Sequence, residues 1–131
     1  MTLVLDASVV VAAVTDAGAV GDWARTTLGH GHLVAPHLLP VEVTDTLRRL
    51  VLADRIDGSS ASAGLRDLGD LGIELYGFEP VAERVWELRS TVTAYDAWYV
   101  ALAEALDVPL ATLDRRLARA NGPRSAFLQP S

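Results

Sequence analysis

The sequence predicts an α/β fold: a parallel sheet with helices on both faces. Three observations carry that reading. Short apolar runs rich in β-formers alternate along the chain with stretches of helical spacing. Such alternation is the pattern of parallel strands joined by helical crossovers. The length, 131 residues with half of them hydrophobic, is that of one domain, residues 1–131, able to bury a core without staples.

Thr2 to Leu5 is the first apolar run, ending at Asp6. Ala7 to Val14 reads as a short helix, and Gly18 to Leu28 as a second, with Val20, Trp23, Ala24 and Leu28 at helical spacing. Gly29 to His32 is a turn, and Leu33 to Ala35 a second strand closed by Pro36. Leu38 to Asp54 is a longer helix, its core face Leu39, Val43, Leu47, Leu50 and Val51. Pro40 is tolerated in its first turn. Gly58-Ser59-Ser60 breaks the chain before a weaker helix from Ser60 to Leu71. Ile73 to Phe78 is a third strand, Pro80 to Leu88 a helix, and Thr93 to Leu106 the clearest helix of the chain. Val108 to Thr112 is a fourth strand and Asp114 to Ala120 a short helix, with Ala126 to Leu128 an edge strand.

Composition removes several chemistries. A charged fraction of 21% is too low for a disordered chain. There is no cysteine, so thiolate zinc sites and cysteine nucleophiles are excluded. All eleven basic residues are arginine, so a P-loop or Schiff-base lysine is excluded as well. A net charge of −6 argues against tight non-specific nucleic-acid binding, but not against an acidic site whose charge a metal offsets. The longest apolar stretch is too short to span a bilayer, and the N-terminus has no basic run, so a cytoplasmic protein with no membrane association is expected.

Ligands of open α/β sheets sit beyond the carboxyl ends of the strands. Asp6 follows the first strand and Asp114 the fourth. Asp96 lies in the first turn of the Thr93 helix beside an apolar face, and Glu42 lies early in the Leu38 helix. Each has a bland alternative. Asp6 and Asp114 could cap the helices that follow them, Asp96 could pair with Thr93 in a capping box, and Glu42 could be a solvated first-turn acid. As a set, acids at one rim repel unless cations lie between them, and hard divalent ions such as Mg²⁺ or Mn²⁺ suit oxygen donors.

Asp6-Ala7-Ser8, Pro40-Val41-Glu42-Val43, Thr93-Ala94-Tyr95-Asp96-Ala97 followed by Tyr99 to Ala103, and Thr112-Leu113-Asp114-Arg115-Arg116-Leu117 occur in that order. Together they resemble the PIN-domain ribonucleases, most closely the VapC-type toxins of bacterial toxin–antitoxin pairs. The resemblance implies a three-layer α/β/α PIN-like fold with a mainly parallel sheet. It implies a metal-dependent endoribonuclease, leaving 5′-phosphate and 3′-hydroxyl ends, with Asp6, Glu42, Asp96 and Asp114 as catalytic and metal-holding acids. Thr112, and with it Ser8, would support the metal site. It also implies a homodimer and a small antitoxin covering the acidic site. The sequence departs from the family where Glu42-Val43-Thr44-Asp45 replaces the frequent Glu-Val-Ala-Asn, adding an acid.

In this reading Asp6, Asp96 and Asp114 anchor one or two ions, partly through water, and Glu42 binds a metal-held water or acts as general base. Arg115 and Arg116 are candidates for the substrate phosphate, with Arg119 one turn on; Arg48 and Arg49 are weaker ones. His30, His32 and His37 lack ligand spacing and read as structural. Trp23, Trp86, Tyr95, Trp98 and Tyr99 read as core or interface rather than as base-stacking platforms. A receiver-like phosphoacceptor would need a lysine, and a haloacid-dehalogenase-type phosphatase an Asp-x-Asp; both are absent here. The rival that remains is a catalytically inert PIN-like module for binding or assembly. Chemistry alone does not separate RNA from DNA as substrate.

Overall fold

In a computed structural model, which describes residues 1–29 and 31–131, the sheet is five-stranded and every pairing is parallel. Strands β1 (Thr2–Leu5), β2 (His32–Pro36), β3 (Glu74–Tyr76), β4 (Leu110–Ala111) and β5 (Phe127–Leu128) stand in the order β3-β2-β1-β4-β5. The helices are α1 (Ala7–Thr15), α2 (Ala19–Leu28), α3 (Leu38–Leu52), α4 (Gly58–Asp70), α5 (Ala82–Glu87), α6 (Ala94–Leu106) and α7 (Arg115–Arg119). A 3₁₀ turn, Glu79–Val81, precedes α5.

Strand β1 is central because Leu3, Val4 and Leu5 are apolar on both faces and fully buried. The chain leaves β1 toward β2 and β3, then returns past β2 and β1 to β4 and β5. Parallel crossovers are right-handed, so opposite directions of travel put their helices on opposite faces. The packing agrees: α1 contacts α2, α3 and α4, whereas α6 contacts α5 and lies on β1, β2 and β4. This is the expected three-layer α/β/α arrangement.

The ends of several elements differ from expectation for identifiable reasons. Helix α4 starts at Gly58, not Ser60, because the Asp57 carboxylate accepts the Ser60 N–H at 2.6 Å and caps the helix. Thr93 is a cap rather than a helical residue, its hydroxyl accepting the Asp96 N–H. Strand β4 keeps only Leu110 and Ala111 as paired residues. Among the described residues no single helix is long and apolar enough to cross a membrane.

Candidate active site

Strand pairing runs slightly past the ends of β1 and β4. The Asp6 N–H donates to the Ala111 carbonyl at 2.9 Å, and the Thr112 N–H to the Leu128 carbonyl at 3.1 Å. Asp6 and Thr112 therefore lie side by side at the carboxyl edge, where the two directions of crossover diverge. That switch point is where open α/β sheets form their binding crevice.

Asp6 is only 9% exposed. Its Oδ2 accepts from the Ser8 hydroxyl at 2.8 Å and the Thr112 hydroxyl at 2.7 Å. Each hydroxyl also accepts a backbone donor: Leu113 N–H to Ser8 Oγ, and Asp114 N–H to Thr112 Oγ1. Two hydroxyls thus fasten the end of β1 to the turn after β4. Burial pushes the Asp6 carboxyl up; the bonds from Thr112, Ser8 and the Ala7 N–H oppose this, and the charge of Asp114 adds to it. Asp6 occupies the cap position of α1 yet makes no capping bond, so the capping alternative fails for it.

For Asp114 both readings hold. Its Oδ1 accepts from the N–H groups of Arg116 and Leu117 and caps α7, while its charge reaches Asp6 and Asp96. Asp96 is half-buried and pushed up to about 6, by burial first and then by the charges of Asp6, Asp114 and Glu42. The four acids thus share one electrostatic site.

Glu42 is not the solvated first-turn acid of the bland reading. It is the fifth residue of α3 and half-buried, and burial is the main reason its carboxyl is raised. The Tyr99 hydroxyl donates to Glu42 Oε1 at 2.5 Å and partly offsets that rise. Tyr99 was expected to be core or interface. Its ring is fully buried, but its hydroxyl is part of the site, and burial and Glu42 keep it protonated. The sequence signal was its place three residues after Asp96 on one helix face.

The donors are all oxygens, and three of the four carboxyls are raised by burial and mutual repulsion, a field that a hard divalent cation relieves. Among the described residues no three such side chains close directly around one point. Mg²⁺ keeps several waters and needs only one or two direct carboxylates.

Two cavities flank Asp114. One, of about 550 Å³, is lined by Asp96, Asp114, Arg116 and Arg119; the other, of about 520 Å³, by Asp6, Ser8, Glu42 and Asp114 with apolar neighbours. Arg115 is exposed and is not on the wall of the first. Asp45, the departure from the family pattern, is exposed, lines neither cavity, and pairs with Arg48 and Arg49 along α3. His32 sits 2.7 Å from Glu74, His37 is exposed, and His30 lies outside the described residues. Trp23 and Trp98 pack against the core, whereas Tyr95 and Trp86 are exposed.

Residues 3–123 match the PIN domain family model. This chain belongs to the PIN-domain family. Within it, the chain groups with the VapC ribonucleases: it is 48% identical over 120 residues to Ribonuclease VapC1 of Mycobacterium tuberculosis, a match covering 91% of this chain and 90% of the relative. The fold of PAE2754 from Pyrobaculum aerophilum superposes with a TM-score of 0.72 at 22% identity, over 97% of this chain and 83% of that one. That of VapBC2 from Rickettsia felis, solved with a DNA fragment from its promoter, does so with a TM-score of 0.70 at 14% identity, over 98% of each chain.

Proposed function

We propose that this chain is a single-domain, divalent-metal-dependent endoribonuclease that cuts RNA phosphodiester bonds as the toxin of a toxin–antitoxin pair. The observation that carries this reading is the meeting of Asp6, Glu42, Asp96 and Asp114 at the β1/β4 switch point of a chain this similar to a VapC ribonuclease. Asp6, Asp96 and Asp114 would hold Mg²⁺ or Mn²⁺, partly through water. When bound, such an ion supplies a water of lowered pKa and neutralises charge on the scissile phosphate. Ser8 and Thr112 keep Asp6 in one orientation and on one oxygen, Oδ2. Tyr99 occupies Oε1 of Glu42, so Oε2 is the oxygen that takes a proton from the attacking water. The raised carboxyl of Glu42 makes it a stronger base than an exposed glutamate.

The same reading includes a homodimer and an antitoxin whose basic residues meet unfilled carboxylates. Exposed Val41, Leu52, Phe78 and Trp86 offer apolar surface for such partners. The test is cleavage of structured RNAs by protein freed of any co-purified partner, in Mg²⁺, Mn²⁺ or EDTA. Metal-dependent cleavage is expected, falling at least ~100-fold in Asp6→Asn and Asp96→Asn. Full activity in either variant would overturn the assignment of the acids. A folded protein that neither cleaves RNA nor binds Mn²⁺ would be the inert module instead.

A further inference from the structure

Four of the eleven arginines are ion-paired and a fifth stacks on an aromatic ring. Arg25 pairs with Asp22, Arg48 and Arg49 with Asp45, and Arg84 with Glu87 and Glu104; Arg89 stacks on Trp86. The other six, Arg55, Arg66, Arg115, Arg116, Arg119 and Arg124, make no ion pair to a described residue. Of these six, only Arg116 and Arg119 line the cavity beside the acids. They lie three apart on α7, line the same cavity as Asp96 and Asp114, and neither guanidinium makes an ion pair or hydrogen bond to a described residue. The rest of the wall is polar at Thr91, Thr93 and Asn121, groups that hydrogen-bond without adding charge, and apolar at Val92, Leu117 and Ala120.

We propose that Arg116 and Arg119 form a phosphate-gripping subsite for single-stranded RNA. It holds a backbone phosphate next to the scissile one and so sets the strand across Asp114. The proposal rests on the ribonuclease reading above. Three features favour a phosphate. Two guanidiniums that hold no carboxylate line one cavity, which suits the several oxygens of one phosphate. The cavity opens directly onto the acids proposed to cut. An anion held there also offsets the charge of the guanidiniums beside a site that must accept a polyanion. Of the three arginines the sequence offered on this helix, Arg116 and Arg119 are on the wall and Arg115 is not.

The experiment separates binding from cutting. Full-length protein in EDTA is titrated against a labelled 12-nucleotide 2′-O-methyl RNA, at several KCl concentrations, by fluorescence anisotropy. Arg116→Gln/Arg119→Gln is compared with Arg55→Gln/Arg66→Gln, which removes the same charge from exposed positions outside the cavity. Both variants are checked for unchanged melting. The cavity variant is expected to bind roughly tenfold more weakly at low salt, as loss of charged hydrogen bonds implies. Its salt slope should be smaller by about 0.7, one phosphate's share on a single strand. The control pair should move neither. Equal loss in both variants, no loss in the cavity variant, or no binding by the wild type would each overturn the subsite. Because no cleavage is read, failure of the subsite leaves the nuclease test above intact, and the converse holds too.

Discussion

Thr112 and Tyr99 do related jobs for two carboxylates, and their surroundings decide how much each matters. Thr112 is fully buried, donates to nearly buried Asp6 and accepts from the Asp114 N–H. Thr112→Val keeps the shape but strips one donor from a buried carboxylate and orphans one backbone N–H. Such losses cost about 1–3 kcal/mol for each buried group left unpaired. Tyr99→Phe removes one donor from Glu42, which water still reaches on its open side, so a loss nearer ~1 kcal/mol is expected. Urea unfolding of the two variants should therefore rank Thr112→Val as the less stable. Both should cut more slowly than wild type, Tyr99→Phe through an unanchored Glu42. Equal stability would mean that the Asp6 network is looser than its distances indicate.

At the scale of elements, the corner between α1 and α2 depends on one glycine. A Cβ added at Gly21 would lie 1.8 Å from the Asp16 carbonyl oxygen, a backbone atom that cannot swing aside. The contact lets α2 fold tightly back on α1, the helix that Asp6 precedes. Gly21→Ala should cost at least ~2 kcal/mol despite the better helix propensity of alanine, because overpacking against backbone forces the two helices apart. Thermal melting reads the effect directly, and a Tm equal to wild type would show that the corner gives way without penalty. Gly64 is a milder case: its Cβ would meet only the Val14 side chain, between α4 and α1. Capping is the other device at this scale. Asp57, Thr93 and Asp114 each bind a backbone N–H at the start of α4, α6 and α7, and Asp114 alone of these also serves the rim.

The whole molecule stores repulsion at its acidic edge, and pH reveals it. In the unfolded chain Asp96 titrates near 3.8; in the fold it does so at about 6. Below 3.8 the group is neutral in both states and costs nothing. Between these values the folded form binds the extra proton. Above about 6 it is ionised in both, and the fold carries the full cost of burial and crowding. Asp6 and Glu42 are shifted the same way. Metal-free protein should therefore lose stability as pH rises from about 4 to 6, by ~1–2 kcal/mol from Asp96 once solvent screening on its open side is allowed for. Asp57 and Glu104, whose carboxyls are lowered, act in the opposite sense and mostly at lower pH. Mg²⁺ or Mn²⁺ at pH 7 should restore the loss and raise Tm by several degrees, since a ligand of the folded state stabilises it. Asp96→Asn should flatten the pH profile and weaken the metal response. A flat profile in the metal-free wild type would mean that the acids stand further apart in solution than their mutual shifts imply.

The order of strands and helices was legible in the sequence because apolar runs and helical spacing record burial locally. So were Asp6, Glu42, Asp96 and Asp114, since acids at strand ends and beside apolar helix faces are conspicuous in a chain half hydrophobic. The family could be read from the same four segments, taken in order. What the sequence did not carry is set by contacts between distant segments. The hydroxyl of Tyr99 meets Glu42 across 57 positions, and that of Thr112 meets Asp6 across 106. A tyrosine or threonine among apolar neighbours looks the same whether its hydroxyl finds a carboxylate or water. Likewise, Arg115, Arg116 and Arg119 are equivalent as charges along the chain, and only the direction in which α7 leaves β4 decides which of them face the acids. Local pattern fixes which residues are buried or polar; the register of β1 against β4 and the packing of α6 over the sheet decide which of them meet.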